Sequence, residues 1–151
     1  MDQPFVVENA RERGRLSRLV DRMTDKELTL TLYGEGWTIA VALAHLAFWD
    51  QRSLILIRKW KESRVEPSAV DTDTINDALL PFFLAIPPRM AANLAVSSAE
   101  AIDKELEKAP PELVAGIQRL GDEHRLYRSI HRKMHIDEIE ALLQDKRANQ
   151  W

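Results

Sequence analysis

The chain has 151 residues, a length that suits one globular domain, so we predict a single helical domain over residues 1–151. Lys and Arg total 21 against 24 Asp and Glu, and the net charge of -3 argues against a nucleic-acid-binding protein. The absence of Cys excludes disulfides, thiolate metal ligands and a cysteine nucleophile.

The hydropathy pattern predicts neither a membrane span nor an export signal. The longest strongly apolar stretch, residues 37–49, includes His45 and is shorter than the roughly 20 apolar residues that a spanning helix needs. The N-terminal segment mixes acidic and basic residues and has no apolar run of signal-peptide length. We therefore expect a cytoplasmic protein that binds no membrane.

The first half of the chain predicts two long helices. The low content of Gly and Pro, 5 and 7 residues, favours helix throughout. Apolar residues at spacings of three and four predict an amphipathic helix over Glu8–Met23, and Tyr33–Gly36 predicts a turn. Thr38 is placed to cap a second helix, Ile39–Lys61, whose first half is apolar on most faces and is therefore expected to be buried.

The second half alternates helices with proline-containing breaks. Pro88 suits the first turn of a third long helix. In order, the predicted elements are a polar connection (Pro67–Thr74), a short helix (Ile75–Leu84), the third long helix (Arg89–Lys108), a short segment (Glu112–Leu120) and the last helix (Asp122–Lys146). No strand alternation competes with this pattern, so the predicted fold class is all-α, a four-helix bundle with a longer connection after its second helix.

Two of the four histidines share one face of the last helix. His131 and His135 are four residues apart, which places their imidazoles about 6 Å from each other. This spacing suits two ligands of one metal ion, although an exposed pair with no function gives the same pattern. His124 lies on the same stripe but further away, and we rank it lower. Arg132 excludes the zincin motif, which needs Glu directly after the first His.

A carboxylate follows the histidine pair. Glu138 comes seven residues after His131, about 20° round the helix from it. It is our candidate catalytic residue, as a general base or as a carboxylate that supports a ligand. An ordinary solvated glutamate on a charged helix is the alternative interpretation.

His45 stands in an apolar run of the second helix. Burial of an imidazole costs free energy unless its ring nitrogens find partners. One interpretation is a core histidine that is hydrogen-bonded to a backbone carbonyl. The other is a metal ion shared with the last helix.

The residues around these histidines resemble a known family. Gly36-Trp37-Thr38-Ile39, the LAHLAFWD stretch at residues 43–50 and the His-x-x-x-His-x-x-Glu-Ile pattern at residues 131–139 resemble the DinB/YfiT-like superfamily. The resemblance implies a four-helix bundle with a divalent metal ion held by His45, His131 and His135. It also implies a homodimer, since several members of the family form one.

Family members with known activities include thiol-dependent transferases and isomerases and hydrolase-like proteins. The resemblance therefore implies a metal-dependent enzyme of the thiol-transferase or hydrolase kind that acts on a small molecule, with zinc or nickel as the first candidate metals. A low-molecular-weight thiol is a candidate cosubstrate, although no residue here matches a thiol-cofactor pocket. The alternative is a non-catalytic metal-binding or protein-interaction module with the same fold.

The remaining polar and aromatic residues have more ordinary interpretations. Asp50, about 140° round the helix from His45, is expected to orient a neighbour or to end the buried segment. Arg128 shares the stripe of His135 and is a candidate partner for an anionic substrate group, with plain surface charge as the alternative. Core packing is the expected role of Trp37, Phe48 and Trp49, and Phe82-Phe83 are placed to cover one end of the bundle.

Overall fold

The computed structural model describes residues 2–149, which form seven α-helices and one short hairpin. Residues 1, 150 and 151 lie outside the described part. The elements in chain order are α1 (Pro4–Arg22), α2 (Asp25–Leu28), β1 (Thr31–Tyr33), β2 (Trp37–Thr38), α3 (Ile39–Glu62), α4 (Thr72–Leu84), α5 (Pro88–Glu107), α6 (Pro111–Leu120), a 3-10 turn (Glu123–Arg125) and α7 (Arg128–Ala148).

Four long helices, α1, α3, α5 and α7, pack as a bundle. Helix α3 packs most extensively against α5, α1 lies between α5 and α7, and α7 closes the bundle against α3. The connection between α3 and α5 is the long one and carries α4. The predicted fold class, an all-α bundle with a longer connection after its second long helix, is confirmed.

Helix α3 is the central element of the bundle. Thr38 caps it, because its hydroxyl accepts a hydrogen bond from the Val41 backbone N–H at 3.1 Å. Every residue from Ile39 to Ala47 is buried, as the apolar pattern predicts. The helix is long and apolar enough to cross a membrane by length and composition, but 72% of its most apolar window is buried inside the bundle, as in the core helix of a soluble protein.

The hairpin was not predicted as strand, although its turn was. β1 and β2 pair antiparallel on either side of Gly34 and Gly36, whose φ angles are +35° and +83°. Glycine suits both positions because positive φ strains other residues. Strands of three and two residues are too short to show a period-two pattern. The hairpin brings Tyr33 and Trp37 to the end of α3.

The last helix begins later than predicted. Asp122 does not start it; the chain passes through the 3-10 turn, and α7 begins at Arg128. The cause is Asn9 of α1, whose amide donates to the Leu126 carbonyl at 2.8 Å and accepts from the Ser129 N–H at 2.8 Å. This one side chain satisfies the backbone groups that a break in the helix leaves unpaired.

The prediction for Phe82-Phe83 is right for one residue only. Phe83 is buried and packs against Phe48 in the apolar core, with ring centroids 6.3 Å apart. Phe82, one residue earlier on α4, is 70% exposed. Adjacent residues on a helix point about 100° apart, so α4 turns only one of the two rings inward.

Candidate metal centre

Three histidine side chains from two helices converge on one point. His45 on α3 and His131 on α7 have their Nε2 atoms 2.9 Å apart, and the Nε2 atoms of His131 and His135 are 3.2 Å apart. The rings stand nearly edge to face, with interplanar angles of 67° to 84°. The cluster could hold a metal ion, because one nitrogen from each ring lies within 4.8 Å of the others.

Burial keeps these imidazoles neutral at physiological pH. Loss of solvent, the larger cause, and repulsion from the neighbouring imidazoles together lower the pKa of His45 to about 4 and that of His131 to about 2. Burial also lowers the pKa of His135, against the opposing effect of the Glu138 carboxylate. A neutral imidazole has a free lone pair on one ring nitrogen, and this is the form that binds metals.

Tyr33 supports one member of the cluster. Its hydroxyl lies 2.8 Å from His135 Nδ1, the ring nitrogen that faces away from the other histidines. Glu138 is half-buried beside this tyrosine: burial raises the pKa of the Tyr33 hydroxyl, and the Glu138 carboxylate raises it further. The predicted catalytic residue Glu138 therefore lies behind Tyr33 and does not line the cavity described below.

The second ring nitrogen of His45, Nδ1, has a different environment from that of His135. It is buried without a hydrogen-bond partner of normal geometry among the described residues. Asn76 of α4 lies close enough to raise the His45 pKa, in opposition to the effect of burial. The side-chain oxygen of Asn76, Oδ1, accepts a hydrogen bond from the Trp49 indole N–H at 2.9 Å. Helix α4 thus contributes to the site, which the sequence pattern does not indicate.

The histidines open into a cavity of about 660 Å³. This volume lies within the roughly 300–1,000 Å³ of typical small-molecule sites. Trp37 and Trp49 form aromatic walls, with ring centroids 5.4 and 6.4 Å from that of His45. The core packing predicted for these residues is present: Trp37 and Phe48 pack against the apolar core, and Trp49 is buried. The two tryptophans line the cavity in addition, which the sequence pattern does not indicate.

The 3-10 turn and the first residue of α7 also line the cavity, through His124, Arg125 and Arg128. The interpretation of Arg128 as surface charge is wrong: only 4% of it is exposed, and its Nε donates to Asp50 Oδ1 at 2.8 Å. Asp50 thereby orients a neighbour, one of the two roles expected for it. His124 faces the cavity but is not part of the three-histidine cluster.

A second buried polar group, the arginine–aspartate network of Arg128, Arg132, Asp50 and Asp103, joins α3, α5 and α7. The fully buried Arg132 donates to both carboxylate oxygens of Asp103 at 2.8 Å and to Asp50 at 3.2 Å. Burial alone would lower the Arg132 pKa, but the two aspartates more than offset this and raise it. The network fixes α7 against α3 next to the histidines.

Sequence reasoning missed Tyr33, Asn76 and Asp103. Tyr33 lies 102 residues from the histidine whose ring it contacts. No local spacing relates residues so far apart, and a tyrosine beside a turn or an asparagine in a short helix is unremarkable by itself. Tyr33 and Asn76 could be identified only from the packing of the hairpin and α4 on α3. Asp103 could be identified only from the packing of α5 against α7.

Comparisons with known proteins give one match. The family model of the DinB superfamily matches residues 8–146. No curated protein and no solved structure matches the chain. The match spans all four bundle helices and the three histidines, so the chain belongs to the DinB superfamily.

Proposed function

We propose that the protein is a metal-dependent enzyme that acts on a small molecule in the cavity by thiol transfer or hydrolysis. His45, His131 and His135 would hold the metal ion, with zinc or nickel as the first candidates. The observation that carries the proposal is the convergence of three Nε2 atoms beside a cavity. Three nitrogen donors leave at least one coordination position for water or substrate, as in catalytic sites.

The surroundings of His135 favour the tautomer that a ligand needs. The Glu138 carboxylate raises the pKa of Tyr33, and a Tyr33 hydroxyl proton directed at that carboxylate would leave the Tyr33 oxygen to accept from Nδ1–H of His135. This leaves the Nε2 lone pair directed at the other two rings. We therefore assign Tyr33 and Glu138 as positioning residues that act through His135. Tyr33 also lines the cavity, whereas Glu138 does not.

The donor set also fits a metal ion by its own electrostatics. The Nε2 atom of His131 lies 2.9 Å from that of His45 and 3.2 Å from that of His135. In the tautomers with protonated Nδ1, the three Nε2 lone pairs would repel one another, and a cation among them would turn this repulsion into attraction. Nitrogen ligands of this kind suit zinc and nickel. The lowered pKa values of His45 and His131 keep both rings neutral, so protons compete little with a metal ion near pH 7.

The two reaction classes differ in their nucleophile. In hydrolysis a water oxygen bonds to the electrophilic carbon, the leaving group departs with the bonding electron pair, and the proton of the water is transferred to it. In thiol transfer the thiol sulfur bonds to the electrophilic carbon, the leaving group departs with the bonding electron pair, and the thiol proton passes to the leaving group or to water. A bound metal ion would supply Lewis acidity that lowers the pKa of water or a thiol in the cavity. Because the chain has no Cys, such a thiol must enter as a cosubstrate.

Metal binding is tested first, with elemental analysis after dialysis against zinc or nickel. The wild-type protein is expected to retain about one ion per chain, the stoichiometry of a single three-histidine site. His131→Ala should lose the ion. His124→Ala is the matched control, since His124 lines the same cavity outside the cluster, and it should keep the ion. Full retention in His131→Ala would contradict the proposal.

Turnover is tested on the metal-loaded protein with two probe reactions. Hydrolysis of 4-nitrophenyl acetate without thiol would indicate a hydrolase, and consumption of 1-chloro-2,4-dinitrobenzene only with added cysteine or glutathione would indicate a thiol transferase. Either activity should disappear in His45→Ala. Activity unchanged in that variant would remove the histidine cluster from the mechanism.

A further inference from the structure

We propose that the small molecule bound in the cavity carries an oxyanion, a carboxylate or a phosphate monoester, and that Arg125 and Arg128 bind this group. The inference rests on the proposed function in one respect, because it takes the cavity beside the histidines as the substrate site. It adds a class of ligand that the histidines alone do not specify. Both arginines line the cavity.

Arg128 is held in place with part of its guanidinium unused. Its Nε donates to Asp50 and its Nη1 donates to the His124 carbonyl at 3.0 Å. Nη2 makes no hydrogen bond to another described residue. A guanidinium that is fixed by two bonds and has a free N–H pair at a cavity wall has already lost the rotational freedom that binding would cost. It is therefore a preorganised donor for an anion.

Arg125 contributes a second guanidinium with more of its donors free. Its Nε lies 3.0 Å from Asp122 Oδ2, and its two terminal nitrogens have no partner in the described part of the chain. The side chain is nevertheless only 15% exposed. Burial lowers the pKa of Arg125, and the charge of Arg128 lowers it further, against the effect of Asp122. Two guanidinium groups thus share one poorly hydrated region.

The region around Arg125 and Arg128 carries more positive charge than the nearby aspartates compensate. Arg52 of α3, outside the cavity lining, adds a third guanidinium close to the other two: burial lowers its pKa, and the charges of Arg125 and Arg128 lower it further, against the effect of Asp122. Its Nη1 is buried without a partner among the described residues. Asp122 faces Arg125, while Asp50 is shared between Arg128 and Arg132. An oxyanion in the cavity would relieve the repulsion among the three arginines.

Most of the remaining cavity wall is apolar or aromatic, with Thr72 and Asn76 as its polar members. Trp37, Trp49, Val70, Ile130 and Met134 line it together with the histidines. These walls suit an apolar body attached to the anionic group, since burial of that body would contribute binding free energy through the hydrophobic effect. Free inorganic anions lack such a body and would use only part of the site.

The test compares acids with a neutral analogue. Amide NMR spectra of the protein are titrated at pH 7.5 with 3-phenylpropanoate, phenyl phosphate and 3-phenylpropan-1-ol, and the indole N–H signals of Trp37 and Trp49 report occupancy of the cavity. We expect at least one acid to bind about tenfold more tightly than the alcohol, the scale of one charge-assisted hydrogen bond. The tighter of the two acids identifies the oxyanion. Equal binding of both acids and the alcohol would overturn the proposal.

Variants identify the groups responsible. Arg125→Gln is preferred to a change at Arg128, because Arg128 also pairs with the buried Asp50. It should reduce the preference for the acid to within about twofold, and Arg125→Lys should restore part of it. Arg119→Gln removes the same charge from an exposed position outside the cavity and should change nothing. A preference that survives Arg125→Gln would contradict the assignment.

A chelator arm separates this inference from the proposed metal site. The titrations are repeated after dialysis against EDTA, where the preference for the acid should persist because the arginines remain. If the preference is lost with the metal ion, the acid binds the metal, so the arginine site is wrong and the metal site stands. If the protein binds no metal but the Arg125-dependent preference is present, the proposed metal function fails and the oxyanion site stands.

Discussion

Two buried polar clusters lie next to each other against α7, and they differ in how their polar atoms are satisfied. In the arginine–aspartate network, Arg132 is paired with two carboxylates and makes four hydrogen bonds shorter than 3.3 Å, and only its Nε lacks a partner among the described residues. In the histidine cluster, the Nε2 atoms find hydrogen-bond partners only in one another among the described residues. The first cluster pairs arginines with aspartates, whereas the second gathers three ring nitrogens beside a cavity.

The difference indicates that one cluster positions the helices, while the other could hold a metal ion. His131 and Arg132 are adjacent on α7, and a helix turns adjacent residues about 100° apart. One side chain therefore faces the cavity while the next enters the core. His45 and Asp50 divide the same two roles on α3. Ion pairs from Asp50 to Arg128 and Arg132 then hold α3 and α7 at the spacing that lets the imidazoles meet.

The largest expected effect comes from breaking the network. Arg132→Met leaves Asp50 and Asp103 buried with less compensation, although Arg128 and Arg13 still contact them. Loss of one partner of a buried ion pair costs about 3 kcal/mol or more, so the free energy of unfolding should fall by about 3 kcal/mol in urea denaturation of the metal-free protein.

The neighbouring Lys133 offers a matched control for that change. Its side chain is 58% exposed and pairs with Asp137 at the surface. Lys133→Met should change the free energy of unfolding by less than about 0.5 kcal/mol. A loss below about 1 kcal/mol in Arg132→Met would show that the network does not hold the bundle together, and the contrast between the clusters would fail.

A smaller effect is expected on the metal affinity of the histidine cluster. Tyr33→Phe removes the hydroxyl next to His135 Nδ1 and leaves the ring in place. Groups that orient a metal-bound histidine typically contribute about 10- to 100-fold in affinity, so zinc binding measured against a chromogenic chelator should weaken by about that factor.

The second tyrosine of the chain, Tyr127, is the control for this prediction. Its ring packs against Phe5, 6.1 Å between centroids, in the apolar cluster that does not contain the histidines. Tyr127→Phe should leave zinc affinity unchanged. An equal affinity in wild type and Tyr33→Phe would remove Tyr33, and with it Glu138, from the support of the site.

The smallest expected effect, counted per histidine, is the change in the free energy of unfolding with pH. Burial lowers the pKa of His45 to about 4 and that of His131 to about 2, so the unfolded chain takes up protons near pH 6.5 while the folded metal-free protein does not. Stability is therefore full above pH 6.5 and falls as the pH drops. Between pH 6.5 and 5.5 each such histidine should cost about 1 kcal/mol of unfolding free energy.

Denaturation of metal-free protein across this range checks the sign and the size of the effect. The His131→Ala variant has one such group fewer, so its stability should depend less steeply on pH. The same slope in the variant and the wild type would mean that His131 takes up protons in the folded protein as readily as in the unfolded chain. The histidine would then not be buried as described above.

Much of the bundle could be predicted because its signals are local. The apolar face of α1, the Thr38 cap and the buried first half of α3 each follow from residues within a few turns of one another. The start of α7 could not, because Asn9 ends the preceding segment from 117 to 120 residues away in sequence. The same limit applies to Tyr33. Its contact with His135 depends on how a hairpin of five strand residues folds onto the end of α3.

The sequence alone determined that the chain is helical, that His131 and His135 share one helical face, and that His45 lies in an apolar run. These properties follow from helical periodicity and composition, which act over short distances along the chain. The tertiary structure decided that the three rings meet, that Arg132 enters the core and that Arg125 and Arg128 line the cavity. Such features depend on which faces of separate helices pack together, and that choice is made by the burial and charge compensation of the whole bundle.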